Sequence, residues 1–188
     1  IELAELPDTE ANLVRGALAE TRGDVGAALR AYDAARTDTR AADRADRLRE
    51  AEGLYAELLA SLDAPNRAQP QRATPFLAAA LASEDRAAAA RAVALAERIG
   101  DTAHTPLLDV ARAFSTNDCA GLEAAIAAND DALDEPATGL LAARCAHGLG
   151  RFDDVARYLE RRGLSLRKIA ADATRDGEAA RNGNNGGL

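Results

Sequence analysis

The chain has 188 residues, a formal net charge of −8 and only 3% aromatic residues. This length suits one ordinary domain or one short array of repeats. The acidic charge argues against direct binding to nucleic acid or to an anionic membrane surface, because both need many cations. The hydrophobic share is 47%, and much of it is alanine, the strongest helix former. This composition favours an all-α fold whose helices approach one another closely.

The two cysteines, Cys119 and Cys145, do not follow the spacing of a disulfide scaffold, so we expect free thiols in a reducing compartment. No apolar run approaches the ~18 residues of a membrane span, and no signal peptide is visible. We therefore expect a cytoplasmic protein with no membrane insertion in this segment. Because the sequence begins at Ile1 and contains no methionine, we also expect it to be part of a longer or processed chain.

Helical patterns follow one another along almost the whole chain. Apolar residues from Leu48 to Leu62 recur three and four positions apart, which predicts one long amphipathic helix that contains Gly53. Asp43 and Arg47 are spaced to pair across one turn of this helix. A single helical domain is predicted for 1–176, with hairpins at about 9–37, 73–99, 104–130 and 136–162, the long helix at 39–62, an end helix at 164–175 and a disordered tail at 177–188.

Each predicted hairpin has a tight polar turn between its two helices. The turns are predicted at Gly23-Asp24, Glu84-Asp85, Asn117-Asp118 and Gly150-Arg151. The last three turns are spaced by 33 positions, from Glu84 to Asn117 and from Asn117 to Gly150. A regular period of this length is typical of helical repeat proteins.

The period and the residues after each turn resemble the tetratricopeptide repeat family, whose unit has roughly 34 residues. That family places a small residue five positions after the turn, a larger apolar residue nine after and often a small one twelve after. The family's early tryptophan and closing proline are missing from every unit. The resemblance implies a right-handed solenoid of antiparallel helical hairpins. The matching positions are Ala28, Tyr32 and Ala35; Ala89, Val93 and Ala96; Leu122, Ile126 and Asn129; and Val155, Leu159 and Arg162.

The resemblance also implies a concave groove lined by the first helix of each hairpin. In the third and fourth hairpins this groove would offer Leu107, Phe114 and Leu140 as apolar contacts, with Arg144 and His147 as polar ones. Such a surface suits a peptide or a partner helix, and an acidic partner would lean toward Arg144. The alternative is that these apolar side chains pack on neighbouring helices and that the groove holds no ligand.

Residues that could carry catalysis or bind a metal are few. Cys145 and His147 diverge by about 200° around a helix, so they cannot chelate one metal from the same face. A nucleophilic pair of Cys119 and His104 would need an orienting residue and an oxyanion site, and nothing marks either. We therefore expect no cofactor, no metal and no enzymatic activity. The leading hypothesis is a scaffold or sensor module that binds a protein or peptide. The alternatives are self-association as a homodimer through the long helix and, less favoured, an α-helical enzyme.

Overall fold

The computed structural model describes residues 6–101, 105–128, 136–160 and 163, and the regular structure in these parts is entirely α-helical. No helix within the described ranges is long and apolar enough to cross a membrane. The predicted end helix at 164–175 and tail at 177–188 lie outside the described residues. The helices are α1 (Asp8–Thr21), α2 (Val25–Ala34), α3 (Thr39–Ala51), α4 (Tyr55–Ser61), α5 (Thr74–Ala82), α6 (Arg86–Ile99), α7 (Thr105–Ser115), α8 (Cys119–Ala128), α9 (Pro136–Gly148) and α10 (152–160).

The hairpin turns share one local design. The first residue of each predicted turn adopts a left-handed backbone conformation, at Gly23, Glu84, Asn117 and Gly150. In the first three turns the next residue is an aspartate whose carboxylate accepts a hydrogen bond from a backbone N–H in the first turn of the following helix. Such a cap satisfies an N–H that the helix itself leaves unpaired. The local sequence therefore ends one helix and begins the next within three residues.

The single long helix predicted for 39–62 is wrong, because the chain breaks there into α3 and α4. Gly53 lies between them with a φ of 68°, a left-handed conformation that glycine adopts without steric cost. Asp43 and Arg47 do pair within α3, at 2.8 Å. Most of the apolar stripe faces inward, since Leu58 is fully buried and Tyr55 and Leu62 pack against the core, whereas Ala51 is exposed. The stripe is therefore not a continuous exposed apolar surface along one straight helix.

The buried residues form two clusters. The smaller, which we call the N-terminal cluster, lies among α1, α2 and α3, where α2 packs against both neighbours. Its centre is Tyr32, whose ring packs so closely on Gly16 that a Cβ on that glycine would overlap it. The fully or nearly fully buried members of this cluster are Ala28, Leu29, Tyr32, Ala35, Ala41 and Ala45.

The larger cluster, which we call the main core, extends from α4 to α10. Its central helix is α5, which packs against α3, α4, α6, α7 and α9 and buries six of its nine residues. In a regular repeat array each unit contacts only its neighbours. Here α9, from the fourth hairpin, packs on α5, from the second, so the last hairpin folds back past the third.

The positions matched to the repeat family are buried in the first three hairpins. Ala28 and Ala89, the small residues after the first two turns, are completely inaccessible to solvent, and Leu122 and Ile126 are nearly so. Asn129 and Arg162 lie outside the described residues. In the fourth hairpin Val155 packs against the main core as predicted, but the prediction for Leu159 is wrong, because Leu159 is 44% exposed and the neighbouring Tyr158 is 5% exposed.

Candidate ligand-binding cleft

An open cleft of about 750 Å³ lies where the turns of the second and third hairpins meet α9. Its apolar wall combines the end of α7 with the middle of α8 and α9. Phe114, Leu122 and Leu141 are each less than one-tenth exposed, but all three line the cleft. The short polar turns make this possible, because they bring the ends of α5 and α7 close together and leave an apolar surface beneath them.

Charged groups surround this apolar wall. Arg144 of α9 forms an ion pair with Glu84 of the second turn, which connects the fourth hairpin to the second across the cleft. Arg86 at the start of α6 donates to the side-chain oxygen of Asn117 in the third turn. The same guanidinium lies 5.6 Å from the centre of the Phe114 ring, a cation–π geometry. These contacts hold the second and third hairpin turns in place at the rim of the cleft, the ring of charged residues around its apolar wall.

The charges on the rim are close to balanced. Glu84, Asp85 and Asp118 are opposed by Arg86 and Arg144. Asp85 and Asp118 cap α6 and α8, whose N-termini carry partial positive charge from the helix dipole. The cleft therefore has both signs of charge around an apolar wall and no strong net field.

The expectation that the cysteines are free thiols is wrong. Cys119, the first residue of α8, and Cys145, in α9, are joined by a disulfide, with their Cα atoms 5.3 Å apart. Both cysteines line the cleft and both are half-buried. Sequence spacing did not reveal the pair, because 26 positions separate the two residues and the packing of their helices, α8 and α9, is not encoded in a local pattern.

The structure brings together two of the five residues predicted for the groove. Phe114 and Arg144 line the cleft, but the guanidinium of Arg144 is paired with Glu84 rather than free for an acidic partner. Leu107 packs against the main core, and Leu140 is half-buried away from the cleft. His147 is exposed, with its ring edge-on to Phe152 at a centroid distance of 5.6 Å.

Sequence reasoning missed the cleft residues that come from the turns and from α8. Glu84 and Asn117 had been identified only as turn residues, and Leu122 only as a packing residue. The signal that would have found them is the 33-residue period itself, since equivalent turns of successive hairpins lie side by side at one edge of a stack. The sequence-based prediction instead placed ligand contacts along the first helix of each hairpin.

A second charged group lies away from the cleft, where the N-terminal cluster meets the main core. Asp46 of α3 and Arg67 of the loop before α5 form an ion pair in which both side chains are more than nine-tenths buried. Arg67 also donates to Ser61 Oγ at 3.1 Å and lies over the Phe76 ring. Burial raises the pKa of Asp46 to about 6, and the nearby Arg67 opposes that rise. This pair connects two packed regions of the chain.

Nothing in the described ranges groups three or more histidine, cysteine, aspartate or glutamate side chains in a way that would hold a metal ion. His104, which was considered as a partner for Cys119, lies outside the described residues, and Cys119 is bonded to Cys145. No protein-family model, curated protein or solved structure matches the chain.

Proposed function

We propose that this chain is a binding module that holds a peptide segment of a partner protein in the cleft between the two hairpin turns and α9. The observation that carries the proposal is the apolar wall of the cleft, which Phe114, Leu122 and Leu141 line among charged rim residues. Binding sites usually combine a large apolar surface with a few fixed polar groups. The cleft volume of about 750 Å³ accommodates one or two bulky side chains of a peptide.

The occupant best matched to this cleft is an amphipathic peptide with a bulky apolar anchor residue and little net charge. The rim supplies both signs of charge, so a strongly acidic or strongly basic peptide would meet like charges on one side. This differs from the acidic partner expected from the sequence, because Glu84 compensates the charge of Arg144. Polar groups of the peptide would instead bond to the capped turns.

The proposal retains the helical-repeat interpretation in a modified form. We infer that the four hairpins are units of a divergent tetratricopeptide-like array whose last unit folds back onto the second. The buried small residues Ala28 and Ala89 support this inference, and so does the packing of successive hairpins. Self-association through the long helix has less support, because Leu58 is buried and Tyr55 packs on the core. We also propose that the module is a non-enzymatic scaffold in the cytoplasm. Because the two cysteines are bonded, this location requires a disulfide that forms reversibly.

Selection of peptides from a displayed random library against the purified chain tests this function. We expect enrichment of sequences with one large apolar residue flanked by uncharged or mixed-charge residues. The affinity of an enriched peptide is then measured against Arg144→Glu. This change places two carboxylates together at the edge of the cleft and should weaken binding by about tenfold or more, roughly 1.4 kcal/mol.

Two matched variants separate the cleft from general electrostatics. Exchanging both charges, in Glu84→Arg with Arg144→Glu, restores the ion pair in reverse and should return the affinity to within about twofold. Arg98→Glu makes the same charge change on an exposed residue of α6 outside the cleft, and should leave binding unchanged. Failure to enrich any peptide, or equal losses in Arg144→Glu and Arg98→Glu, would overturn the proposal.

A further inference from the structure

The disulfide occupies a position in the cleft that connects two separate hairpins. Cys119 begins α8 in the third hairpin, and Cys145 lies on α9 in the fourth, beside the rim residue Arg144. We propose that this disulfide is a redox switch, so that a dithiol reductant releases α9 and thereby abolishes the shape of the peptide-binding cleft. The inference rests on the proposed binding function and assigns its regulation to one covalent bond.

The other contacts that hold α9 at the cleft are weaker than a covalent bond. The ion pair of Arg144 with Glu84 is solvent-exposed, with the arginine side chain 59% accessible, and pairs of this kind contribute little to stability. Helix α9 also packs on α5, and most of its buried residues are small, with Ala142, Ala143 and Ala146 beside Thr138 and Leu141. The disulfide is therefore the strongest connection between α9 and the start of α8.

Both sulfur atoms are placed for exchange with an external thiol. Each cysteine is half-buried and lines an open cleft, so a reductant can approach from the side on which the ligand binds. Cys119 is the first residue of α8, where the helix N-terminus stabilises a thiolate. Cys119 is consequently the better leaving group, and the thiolate of the reductant is expected to attack Cys145.

The exchange balances as an ordinary two-electron reduction. A thiolate of the dithiol bonds to Cys145 Sγ, the bond between Cys145 and Cys119 breaks, and Cys119 leaves as the thiolate. The second thiolate of the reductant then attacks the reductant's other sulfur, the one bonded to Cys145, and releases Cys145 as a thiolate. The two cysteines end as thiols with the protons that the dithiol lost, and the dithiol ends as a disulfide.

The proposed cytoplasmic location implies that this disulfide is reversible. In a reducing cytoplasm persistent structural disulfides are rare, and those that form are usually transient catalytic or redox-sensing bonds. A cytoplasmic location and a disulfide in the cleft are therefore compatible when the bond opens and closes with the thiol state of the compartment. Peptide affinity would then follow that state.

Hydrogen–deuterium exchange on the full chain tests the switch without any ligand. The oxidised chain, the chain reduced by dithiothreitol and the double variant Cys119→Ser with Cys145→Ser are compared under native conditions. We expect reduction to speed exchange in α9 by about tenfold or more while α1–α3, which belong to the N-terminal cluster, change by less than about twofold. The serine variant should match the reduced chain and should not respond to dithiothreitol.

Three outcomes would overturn the switch: exchange in α9 that does not change on reduction, exchange that rises equally in α1–α3, or a disulfide that dithiothreitol reduces only after denaturation. The last two would identify a purely structural bond. None of them depends on a peptide, so failure of the switch and failure of the proposed binding function are distinguished.

Discussion

The N-terminal cluster and the main core are built from the same kind of hairpin but are stabilised differently. In the N-terminal cluster one aromatic side chain, Tyr32, fills the centre, and its hydroxyl donates to Glu20 at 2.6 Å while accepting from Arg44 at 3.3 Å. Burial, reinforced by the hydrogen bond to Glu20, raises the pKa of this hydroxyl. In the main core, the central helix α5 is instead enclosed by apolar neighbours and consists mainly of alanine and leucine.

The difference shows where each region can change without losing its fold. Alanine-lined helices pack closely and leave little free volume between them. The main core can therefore include a hairpin that folds back, but a larger side chain between two of its helices should destabilise it. The N-terminal cluster depends on a single large residue and on the charged groups at its edge, including the 2.6 Å pair of Arg49 with Asp33. The cleft lies in the main core, where turns of different hairpins meet.

Breaking the connection between the two regions should have the largest effect. Arg67→Ala removes the ion-pair partner of the buried Asp46 and should lower the free energy of unfolding by about 3–5 kcal/mol, because the buried carboxylate loses its directly bonded counter-ion. Chemical denaturation followed by circular dichroism measures this loss. Replacing both residues, Asp46→Leu with Arg67→Met, removes both charges and should recover most of the stability. A loss in Arg67→Ala of under about 0.5 kcal/mol, as for a surface change, would contradict the account.

The ion pair of Asp46 with Arg67 also predicts how acid affects the stability of the chain. The pKa of Asp46 is raised to about 6 from 3.8, so its stabilising contribution is fully present below pH 3.8 and is lost as the pH rises through about 6. The wild-type chain should therefore gain stability relative to Asp46→Asn on acidification across this window, by at most roughly 3 kcal/mol. Urea midpoints of both chains across that range test the sign. A difference that is constant with pH would show that Asp46 titrates normally.

Replacing the small residues after the turns with leucine should have a smaller effect on stability. The same change can be made in both regions, so its cost can be compared directly. Ala28→Leu in the N-terminal cluster and Ala89→Leu in the main core each place a larger side chain where none fits, at a cost of about 1–3 kcal/mol. The exposed neighbours Ala34 and Ala90 provide matched controls, since leucine there should change stability little. Thermal melting of the four variants measures this. Equal melting temperatures for Ala89→Leu and Ala90→Leu would show that the assigned packing is wrong.

Much of the local structure could be predicted from the sequence. The turns at Glu84 and Asn117 and the buried positions Ala28, Ala89 and Leu122 follow from short-range signals, namely caps, turn residues and apolar spacing. These signals are encoded within one hairpin. The break at Gly53 was missed because an apolar stripe outweighed a single glycine, although the glycine adopts the left-handed conformation that ends α3.

The cleft could be predicted only in part, because it depends on how hairpins that are not adjacent pack. The period predicts contact between successive units, but it does not predict that α9 lies on α5. That packing places Arg144 of the fourth hairpin beside Glu84 of the second. A one-dimensional pattern contains no information on such a fold-back.

The most direct test of the central claim is a titration of an enriched peptide into chain with isotope-labelled leucine methyl groups, followed by nuclear magnetic resonance. The cleft predicts that the methyl signals of Leu122 and Leu141 shift on binding and that those of Leu107 and Leu140 do not. Adjacent Leu140 and Leu141 make the comparison sensitive to the face of α9 that the peptide contacts. Shifts confined to Leu107 and Leu140 would place the ligand in the groove expected from the repeat family and would contradict the cleft.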